Sequence, residues 1–372
     1  MKNSIIIIII LAIIGILVLM GNSSTPQSDK AVKIGVVAPL TGSNAEAGMF
    51  FKNGLTLAEE EINKNSKVKV SLIYEDSQYK PEVSVTAIKK LVEVNKVNYV
   101  IGESGSSQTL AMAPIAEKNK VVLITPVSQA SKLTDAGDYI FRTQINVSQE
   151  VNFFAPKLFQ ILGKDKVDIM ALNTDYGIDF VDKFSLAYEN LGGNLGVKEK
   201  FKNEDTDFRT ILTKIKNDKP AAILIVGTRK LDGLIMKQAK DLSISARFFA
   251  SSPIESKEFI ETAGLAAEGV IYPYPFDDTS IDSTQKAFQE IYKSKYEVKS
   301  EMIAANSYDA LMLLSICLDK VGNNSELVKN CLYSIKDYQG ASGQLTFDSS
   351  GDVTKHFILK AVKNGQFIKL EE

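Results

Sequence analysis

A short polar turn between a buried strand and a helix holds the residues best suited to bind a ligand. Residues 105–109 contain two serines, a glutamine and a threonine, and they follow the apolar run 98–102. Hydroxyls and the free N–H groups of a helix start satisfy an anion without a cationic side chain. Ser106 and Ser107 are therefore candidate ligand-binding residues, although Ser106 and Thr109 also suit simple helix caps. Because one turn can do both, we favour the ligand role.

The same region contains a near match to the nucleophile elbow of serine hydrolases. Residues 102–106 read Gly-Glu-Ser-Gly-Ser and end in serine where that motif needs glycine. The only histidine, His356, is a weak metal or base candidate because a metal site usually needs three or four protein ligands. The loop 42–48 lacks the Lys-Ser/Thr pair of a phosphate-binding loop. We therefore predict a non-enzyme with no catalytic residue, no metal and no cofactor.

Length and charge narrow the class of protein. A chain of 372 residues that is 45% hydrophobic exceeds the roughly 250–300 residues that one core supports, so two lobes are expected. The net charge of −2, with acidic and basic residues dispersed, offers no basic stripe for nucleic acid. Nucleic acid is therefore excluded as a partner.

A repeated pattern of strand, turn and helix must position the polar turns. The run 32–38 is followed by a Gly/Ser-rich turn and a helix-period stretch at 50–63, and a second series of such units begins near Val147. Strands that alternate with helices of this length predict right-handed crossovers and parallel sheets. In open α/β sheets ligands bind beyond the carboxyl ends of the strands. The turns are therefore the expected site.

The amino terminus differs from the rest of the chain. Lys2 precedes an apolar run at 5–20 and a Ser/Thr/Pro-rich linker at 22–31, which predicts an export signal over residues 1–21. The run is also long enough to remain as an uncleaved membrane anchor. A lipoprotein would have cysteine where Asn22 stands, which excludes that form of anchoring. We expect an exported protein, in the periplasm or at the extracellular face, that meets the membrane only through this segment.

The two cysteines leave two interpretations open. Cys317 and Cys331 lie in two predicted helices joined by residues 321–324. An exported protein permits a disulfide, and antiparallel helices would bring the pair together. Free cysteine is also a common buried residue.

A series of short phrases runs through the chain in a fixed order. They occupy residues 34–42, 57–63, 74–78, 100–102, 124–126, 141–143, 175–177, 306–310 and 343–348. In this order they resemble the type I periplasmic binding proteins of the branched-chain amino acid family, the solute receptors of ABC importers. No single phrase is diagnostic, but the resemblance covers nearly everything from Val32 to Leu370.

The resemblance implies an α/β fold of two Rossmann-like lobes with parallel sheets, joined by a three-strand hinge. Hinge closure around a ligand is known for periplasmic binding proteins. The first lobe would comprise about residues 32–143 and 276–342, and the second about residues 144–275 and 343–372. The chain would then cross between the lobes near Thr143, Pro275 and Gly343.

In the first lobe, the resemblance assigns the ligand carboxylate to the turn that contains Ser106 and Ser107. The family usually reads Ser-Pro-x-Ala-Thr after the fourth strand, where this chain reads Thr-Pro-Val-Ser-Gln at residues 125–129. Ser128 and Gln129 would take over polar contacts to the ligand, because a glutamine amide both donates and accepts hydrogen bonds.

In the second lobe, Tyr176 matches the family's aromatic residue that covers the ligand. Thr228 and Arg229 occupy a strand end where the family often has an aromatic side chain. Arg229 would pair with a second acidic group on a dicarboxylate or an aromatic acid, or remain a solvated charge at a helix start. In the first loop, Ala47 replaces a common aromatic residue, so Met49 or Phe50 would line the pocket or fill the core.

Ser252 stands where branched-chain amino acid receptors place the acid that binds the ligand's ammonium group. An ammonium group left unpaired in a dry site costs several kcal/mol. Glu103 or Glu255 would then supply the charge, or the ligand is not a zwitterion.

The resemblance predicts an ABC importer receptor for an amino acid or a related carboxylate or amide, with the permease subunits as protein partners. The alternative is a sensing domain of the same fold that signals to another partner. The chain ends at Glu372 after one fold, which favours transport. Ser106→Ala is expected to weaken ligand binding and to leave fold stability nearly unchanged.

Overall fold

The computed structural model describes residues 31–275 and 282–370. The N-terminal segment predicted as an export signal or anchor lies outside the described residues.

The first sheet has five parallel strands in the order β2-β1-β3-β4-β5. Its inner strands are buried on both faces, as expected for parallel strands between helical layers, whereas the edge strand at residues 70–76 is mostly half-buried. The strands are β1 Val32–Ala38, β2 Val70–Asp76, β3 Tyr99–Gly102, β4 Val122–Thr125 and β5 Ile140–Arg142. The helices that connect the first four are α1 Ala45–Asn65, α2 Pro81–Glu93 and α3 Ser106–Lys118.

The second sheet has seven strands in the order β14-β13-β10-β9-β8-β6-β7. The five strands from β10 to β7 are parallel, and β13 and β14 add an antiparallel edge. The strands are β6 Lys166–Leu172, β7 Asn194–Phe201, β8 Ala222–Val226, β9 Arg247–Ala250, β10 Ile271–Tyr274, β13 Ile358–Lys363 and β14 Gln366–Lys369. The helices on this sheet are α4 Val147–Leu162, α5 Asp175–Asn190, α6 Arg209–Asp218, α7 Arg229–Asp241 and α8 Lys257–Ala263.

The remaining elements belong to the same lobe as the first sheet, and two of them pair as a separate two-stranded antiparallel sheet. They are α9 Ser283–Tyr296, α10 Met302–Val321, α11 Ser325–Tyr333, β11 Tyr338–Gly340 and β12 Gly343–Leu345. Helix α10 lies so close to α1 that a Cβ on Gly54 would come within 2.1 Å of the Ala304 carbonyl oxygen. Within the described residues, α10 is long and apolar enough to cross a membrane, but 78% of that stretch is buried inside the protein. Together these elements and the first sheet form lobe 1, and the second sheet with its helices forms lobe 2.

Cys317 and Cys331 form a disulfide with Cα atoms 5.7 Å apart. The bond connects α10 to α11 within lobe 1. Of the two alternatives left open by the sequence, the structure therefore shows the disulfide.

The last crossing between the lobes lies later than predicted. Residues beyond Gly343 stay on lobe 1, since Phe347 bridges to Val353 and the Arg142 N–H donates to the Gly351 carbonyl at 3.0 Å. The chain passes to lobe 2 only between Val353 and Ile358. The crossing was predicted too early because the strands of the β11–β12 hairpin show the same alternating pattern as the later strands of lobe 2. The sequence pattern therefore does not show where lobe 2 begins.

Candidate ligand-binding cleft

A cavity lies between the two lobes at the carboxyl ends of their parallel strands. It contains about 540 Å³ of empty space, part of which is open to solvent. Six of the eight predicted site residues line it, namely Ser106, Ser107, Gln129, Tyr176, Thr228 and Arg229. The turns that follow β3, β4, β6 and β8 therefore meet, as the position of ligand sites in open α/β sheets leads one to expect.

Ser106 is held in place by two backbone groups. Its Oγ accepts hydrogen bonds from the N–H groups of Gln129 and Ala130, each at 3.1 Å. These bonds use both lone pairs of the hydroxyl, so its proton is left to be donated. The N-cap of α3 is Gly105 and no side chain caps this helix, so Ser106 does not serve as the cap. Its hydroxyl is a fixed donor at the cavity wall.

Ser107 is used differently. Its hydroxyl donates to Asp175 Oδ2 at 2.8 Å and accepts from the Asp175 N–H at 3.1 Å. Since Asp175 begins α5, this reciprocal pair connects lobe 1 to lobe 2. The Ser107 hydroxyl is therefore occupied in a contact between the lobes, while its N–H group, in the first turn of α3, remains a potential donor.

Glu103 lies behind the same turn and not in the cavity wall. Its carboxylate accepts from the Ser77 hydroxyl and from the N–H groups of Ser104 and Gly105, at 2.6 and 3.0 Å. Burial raises the pKa of Glu103 to about 7, against the lowering effect of these hydrogen bonds. This acid organises the turn from behind, so it is not the free ammonium partner that was expected.

Ser128 does not line the cavity. Its hydroxyl bonds to Thr109 Oγ1 at 2.7 Å and donates to the Glu103 carbonyl at 3.2 Å. The predicted ligand contact of Ser128 is therefore replaced by a structural contact between α3 and the turn after β4. Sequence position alone could not show which of two adjacent polar residues faces the cleft.

Gln129 faces the cavity and is oriented by a buried acid. Its Nε2 donates to Glu150 Oε2 at 2.9 Å and to Ser252 Oγ at 3.3 Å. With the amide nitrogen so engaged, Gln129 Oε1 is the acceptor that this side chain can offer to the cavity. Gln129 therefore presents a carbonyl oxygen backed by a carboxylate.

Glu150, in the first turn of α4, was missed by the sequence analysis. It accepts from the Ser252 N–H at 2.7 Å and from the Ser252 hydroxyl at 2.9 Å, and burial raises its pKa to about 7. Ser252 is buried and does not line the cavity, where Pro253 appears instead. The predicted direct contact of Ser252 is corrected to the support of Glu150. The only sequence signal was an acidic residue near a helix start, which usually indicates no more than a favourable dipole contact.

Lobe 2 has buried polar atoms without partners both in the cavity wall and next to it. Tyr176 lines the cavity, and its hydroxyl lies beside that of Ser251 with no hydrogen bond of normal geometry. Neither carboxylate oxygen of Asp232 has a partner among the described residues, and burial raises the pKa of Asp232 well above its usual range. Its side chain packs so closely on Gly227 that a Cβ there would be 1.9 Å from Oδ1.

Arg229 is buried and doubly paired. Its Nη1 donates to Glu46 at 2.8 Å and its Nη2 donates to Glu301 at 2.9 Å, and its side chain is 7% exposed. The guanidinium also lies 5.8 Å from the centre of the Phe50 ring. The expected alternative of a solvated charge is therefore wrong, because two acids from lobe 1 reach it. The same pairing also satisfies the charge that would have attracted a second acidic group on a ligand.

Of the other residues that the sequence suggested for the site, one lines the cavity and the rest do not. Ala47 lines the cavity, whereas Met49 is exposed and Phe50 packs against Arg229. Glu255 is paired with Lys360 at 2.8 Å and accepts from the Tyr272 hydroxyl at 2.6 Å. Glu255 is therefore engaged within lobe 2 and does not provide the ammonium partner.

Two α/β lobes that enclose a polar cavity at their strand ends define a two-lobed ligand-binding protein. The family model described as periplasmic binding protein matches residues 31–365. The chain belongs to the periplasmic binding protein family, whose members are exported solute-binding proteins. The predicted family and α/β fold with parallel sheets are thereby confirmed.

Individual relatives cover almost the whole chain. The Leu/Ile/Val-binding protein BraC3 of Rhizobium johnstonii is 27% identical over 353 residues, which cover 93% of this chain and 95% of that protein. The crystal structure of a leucine-binding protein LivK from Thermotoga maritima has a TM-score of 0.88 and 28% identity, with 92% and 98% of the two chains covered. The substrate-binding protein LivJ of a branched-chain amino acid transporter from Streptococcus pneumoniae, in complex with isoleucine, has a TM-score of 0.85 and 27% identity, covering 92% and 100%.

Proposed function

We propose that this protein captures an α-amino acid with a neutral side chain and delivers it to the permease of an ABC importer. The observation that carries the proposal is the pairing of two groups on one cavity wall. Ser106 offers a fixed hydroxyl donor, and Gln129 offers a carbonyl acceptor with the carboxylate of Glu150 behind it. A donor and a negatively backed acceptor suit the two charged ends of a zwitterion.

The carboxylate end of the ligand would lie at the start of α3. The Ser106 hydroxyl has its proton free, and the first N–H groups of a helix have no partner within the helix. The helix dipole adds partial positive charge at this point. Neutral donors can thus hold a carboxylate although Arg229, the one arginine at the cavity, is paired elsewhere.

The ammonium end would lie against Gln129 Oε1. In the family resemblance the acid that binds ammonium occupies the position of Ser252. Here the Ser252 N–H and hydroxyl both donate to Glu150, so a carboxylate from α4 stands next to the position from which it is missing. The negative charge is displaced behind Gln129 and not lost, which removes the reason to reject a zwitterionic ligand.

The side chain of the ligand would meet a largely apolar part of the cavity. Ala47, Val127, Pro253 and Ile303 contribute to its lining. Because Arg229 is already neutralised by two acids, no charge there calls for an acidic side chain. The relatives whose names specify leucine, isoleucine and valine support the same class of ligand.

The protein partners follow from the family and are part of this proposal. We infer that permease subunits receive the ligand from the closed cleft, that catalysis plays no part, and that residues 1–21 direct export, either cleaved or retained as an anchor. Among the residues that the structure describes, no three or more His, Cys, Asp or Glu side chains are grouped so that they could hold a metal ion.

A comparison of L-leucine with two analogues that each lack one of its charged groups tests the proposal. L-leucine, 4-methylpentanoate and 3-methylbutylamine share one side chain but carry both charged groups, only the carboxylate or only the ammonium. A ligand that binds the native state at a hundred times its Kd stabilises it by about 2.7 kcal/mol. We expect the unfolding temperature to rise clearly with L-leucine and far less with either analogue that carries only one of the two charged groups. An equal shift with 4-methylpentanoate, or no shift with any neutral amino acid, would contradict the proposal.

A further inference from the structure

Arg229 connects the two lobes across the cleft. It begins α7 of lobe 2, whereas Glu46 lies in α1 and Glu301 directly precedes α10, both in lobe 1. Each amino group of the guanidinium binds a different carboxylate, at 2.8 and 2.9 Å. The three side chains are 7%, 21% and 10% exposed, respectively. The contact is therefore a mostly buried ion triad between lobes.

Another ion pair between the lobes is of a different kind. Lys132 lies 3.3 Å from Asp175, but the lysine side chain is 74% exposed. Exposed pairs typically contribute about 0–1 kcal/mol. Buried charges are strongly coupled, because removing one partner leaves the other unpaired in a dry site. Lys132 thus provides a natural control for Arg229.

The triad can exist only when the lobes are together. If lobe 2 swings away, Arg229 leaves both acids and also the Phe50 ring, 5.8 Å from it. A planar guanidinium binds two carboxylates at fixed angles, so a partly opened cleft would not preserve the geometry. The triad should therefore favour a closed cleft over an open one.

We propose that Arg229, Glu46 and Glu301 form a closure latch that slows ligand release and excludes ligands with an acidic side chain. The second part rests on the proposed amino acid function. Arg229 lines the cavity, but with both amino groups occupied it has little to offer a second ligand carboxylate. Because two acids surround this one cation, that end of the cavity has no net positive charge to offset the desolvation of a ligand carboxylate. A neutral side chain meets no such penalty.

The release rate of L-leucine tests the latch. Truncating one partner of a buried charge pair acts mainly on the dissociation rate. We expect Arg229→Gln to speed dissociation, followed by stopped flow, by about tenfold or more, and Lys132→Gln by less than about threefold. If Arg229→Gln does not fold, as judged by circular dichroism, Glu46→Gln replaces it, since Glu46 is the most exposed member. A rate within about threefold of the parent protein for Glu46→Gln and for any folded Arg229→Gln would overturn the latch.

A separate measurement tests whether the latch excludes ligands with an acidic side chain. The double variant Glu46→Gln with Glu301→Gln leaves Arg229 without acidic partners. We expect the ratio of the Kd for L-glutamate to the Kd for L-leucine to fall by about tenfold or more in this variant, as one freed charged contact permits. An unchanged ratio would overturn the exclusion of acidic side chains.

A measurement without ligand separates this inference from the proposed function. Spin labels at Lys118→Cys in lobe 1 and Thr213→Cys in lobe 2, both exposed positions, report the distance between the lobes by pulsed electron resonance. We expect Glu46→Gln to shift the ligand-free distribution toward longer distances and Lys132→Gln to leave it in place. If no amino acid binds, the proposed function fails, while a shift with Glu46→Gln still supports the latch. An unshifted distribution overturns the latch whichever ligand binds.

Discussion

The two walls of the cleft differ in how completely their polar groups are bonded. On the lobe 1 wall, the side chains of Ser104, Ser106 and Gln108 all have protein partners. On the lobe 2 wall, the Tyr176 hydroxyl has none, and next to that wall neither oxygen of Asp232 has one among the described residues. Buried polar groups are nearly always bonded in native proteins. Lobe 1 is therefore a finished binding surface, and lobe 2 acts mainly as a cover.

The difference has a physical consequence for recognition. Donors that are already fixed lose little freedom when a ligand arrives, so they contribute most of their interaction energy to binding. A wall of loosely bonded groups can adjust to the ligand, but it contributes less per contact. We infer that the ligand's charged groups are recognised first on lobe 1 and that lobe 2 then closes over them.

The largest effect is expected from Ser106→Ala. The ligand loses a hydrogen bond to a charged group, which is worth about 1.5–3 kcal/mol, or roughly 10- to 100-fold in Kd. The N–H groups of Gln129 and Ala130 also lose their acceptor, so unfolding free energy should fall by about 1–3 kcal/mol. Calorimetric titration with L-leucine and urea unfolding measure the two effects.

This result would revise the expectation from the sequence that Ser106→Ala leaves stability nearly unchanged. Ser107→Ala is the matched control, because its hydroxyl bonds Asp175 and not the backbone of the turn after β4. Unaltered L-leucine affinity in Ser106→Ala would remove the special role of lobe 1 on which the comparison rests.

Glu150→Gln should have the next largest effect. The substitution keeps the shape but removes the negative charge behind Gln129, and its single amide oxygen can no longer accept all the bonds from Ser252 and Gln129. We expect the Kd for L-leucine to rise about tenfold, in line with the loss of one charge-assisted contact. The affinity for 4-methylpentanoate, which has no ammonium group, should not fall. Equal losses for both compounds would show that Glu150 is only a structural support.

Local phrases predicted the fold and half of the site well. The turn at 105–109 could be recognised because a buried strand, a polar turn and a helix start are adjacent in the sequence. Tyr176 was placed at the cavity by the family resemblance, through the phrase Asp-Tyr-Gly that begins α5. There Gly177 permits a close approach, with a Cβ position 2.0 Å from the Leu172 carbonyl oxygen.

What the sequence could not show were contacts between distant segments. The partners of Arg229 lie 183 and 72 residues away along the chain, and Glu150 meets Ser252 across 102 residues. No pattern of spacing encodes such pairs. The sequence also does not show which side chains of a turn face the cavity. Ser128 and Ser252 were therefore expected to line it, but their neighbours Gln129 and Pro253 line it instead.

Stability should depend on pH through the buried acids. Burial raises the pKa of Glu103 and of Glu150 to about 7, above the usual value of about 4.3 for an unfolded chain. The native state therefore binds protons more tightly than the unfolded state between these values. Their contribution to unfolding free energy is fully present below about pH 4 and is lost as the pH rises through 7.

Urea unfolding of the ligand-free protein at pH 6 and pH 8 measures this dependence. We expect lower stability at pH 8, and a smaller difference in Glu103→Gln, which lacks one of the titrating groups. Glu82→Gln, at an exposed position in α2, is the control and should keep the full difference. A stability that rises from pH 6 to pH 8 in the same way in all three proteins would show that other groups dominate.

The smallest effect is expected from Tyr176→Phe, which tests the lobe 2 wall. The Tyr176 hydroxyl has no hydrogen bond of normal geometry, whereas the ring packs edge-on against Phe180 at 6.0 Å and is kept in the variant. Removing an unbonded buried hydroxyl should change stability by less than about 0.5 kcal/mol and L-leucine affinity by less than about threefold. A loss of affinity as large as that of Ser106→Ala would show that the ligand bonds this hydroxyl. In that case lobe 2 takes part in polar recognition, and its unpaired groups are ligand contacts and not the inner face of a cover.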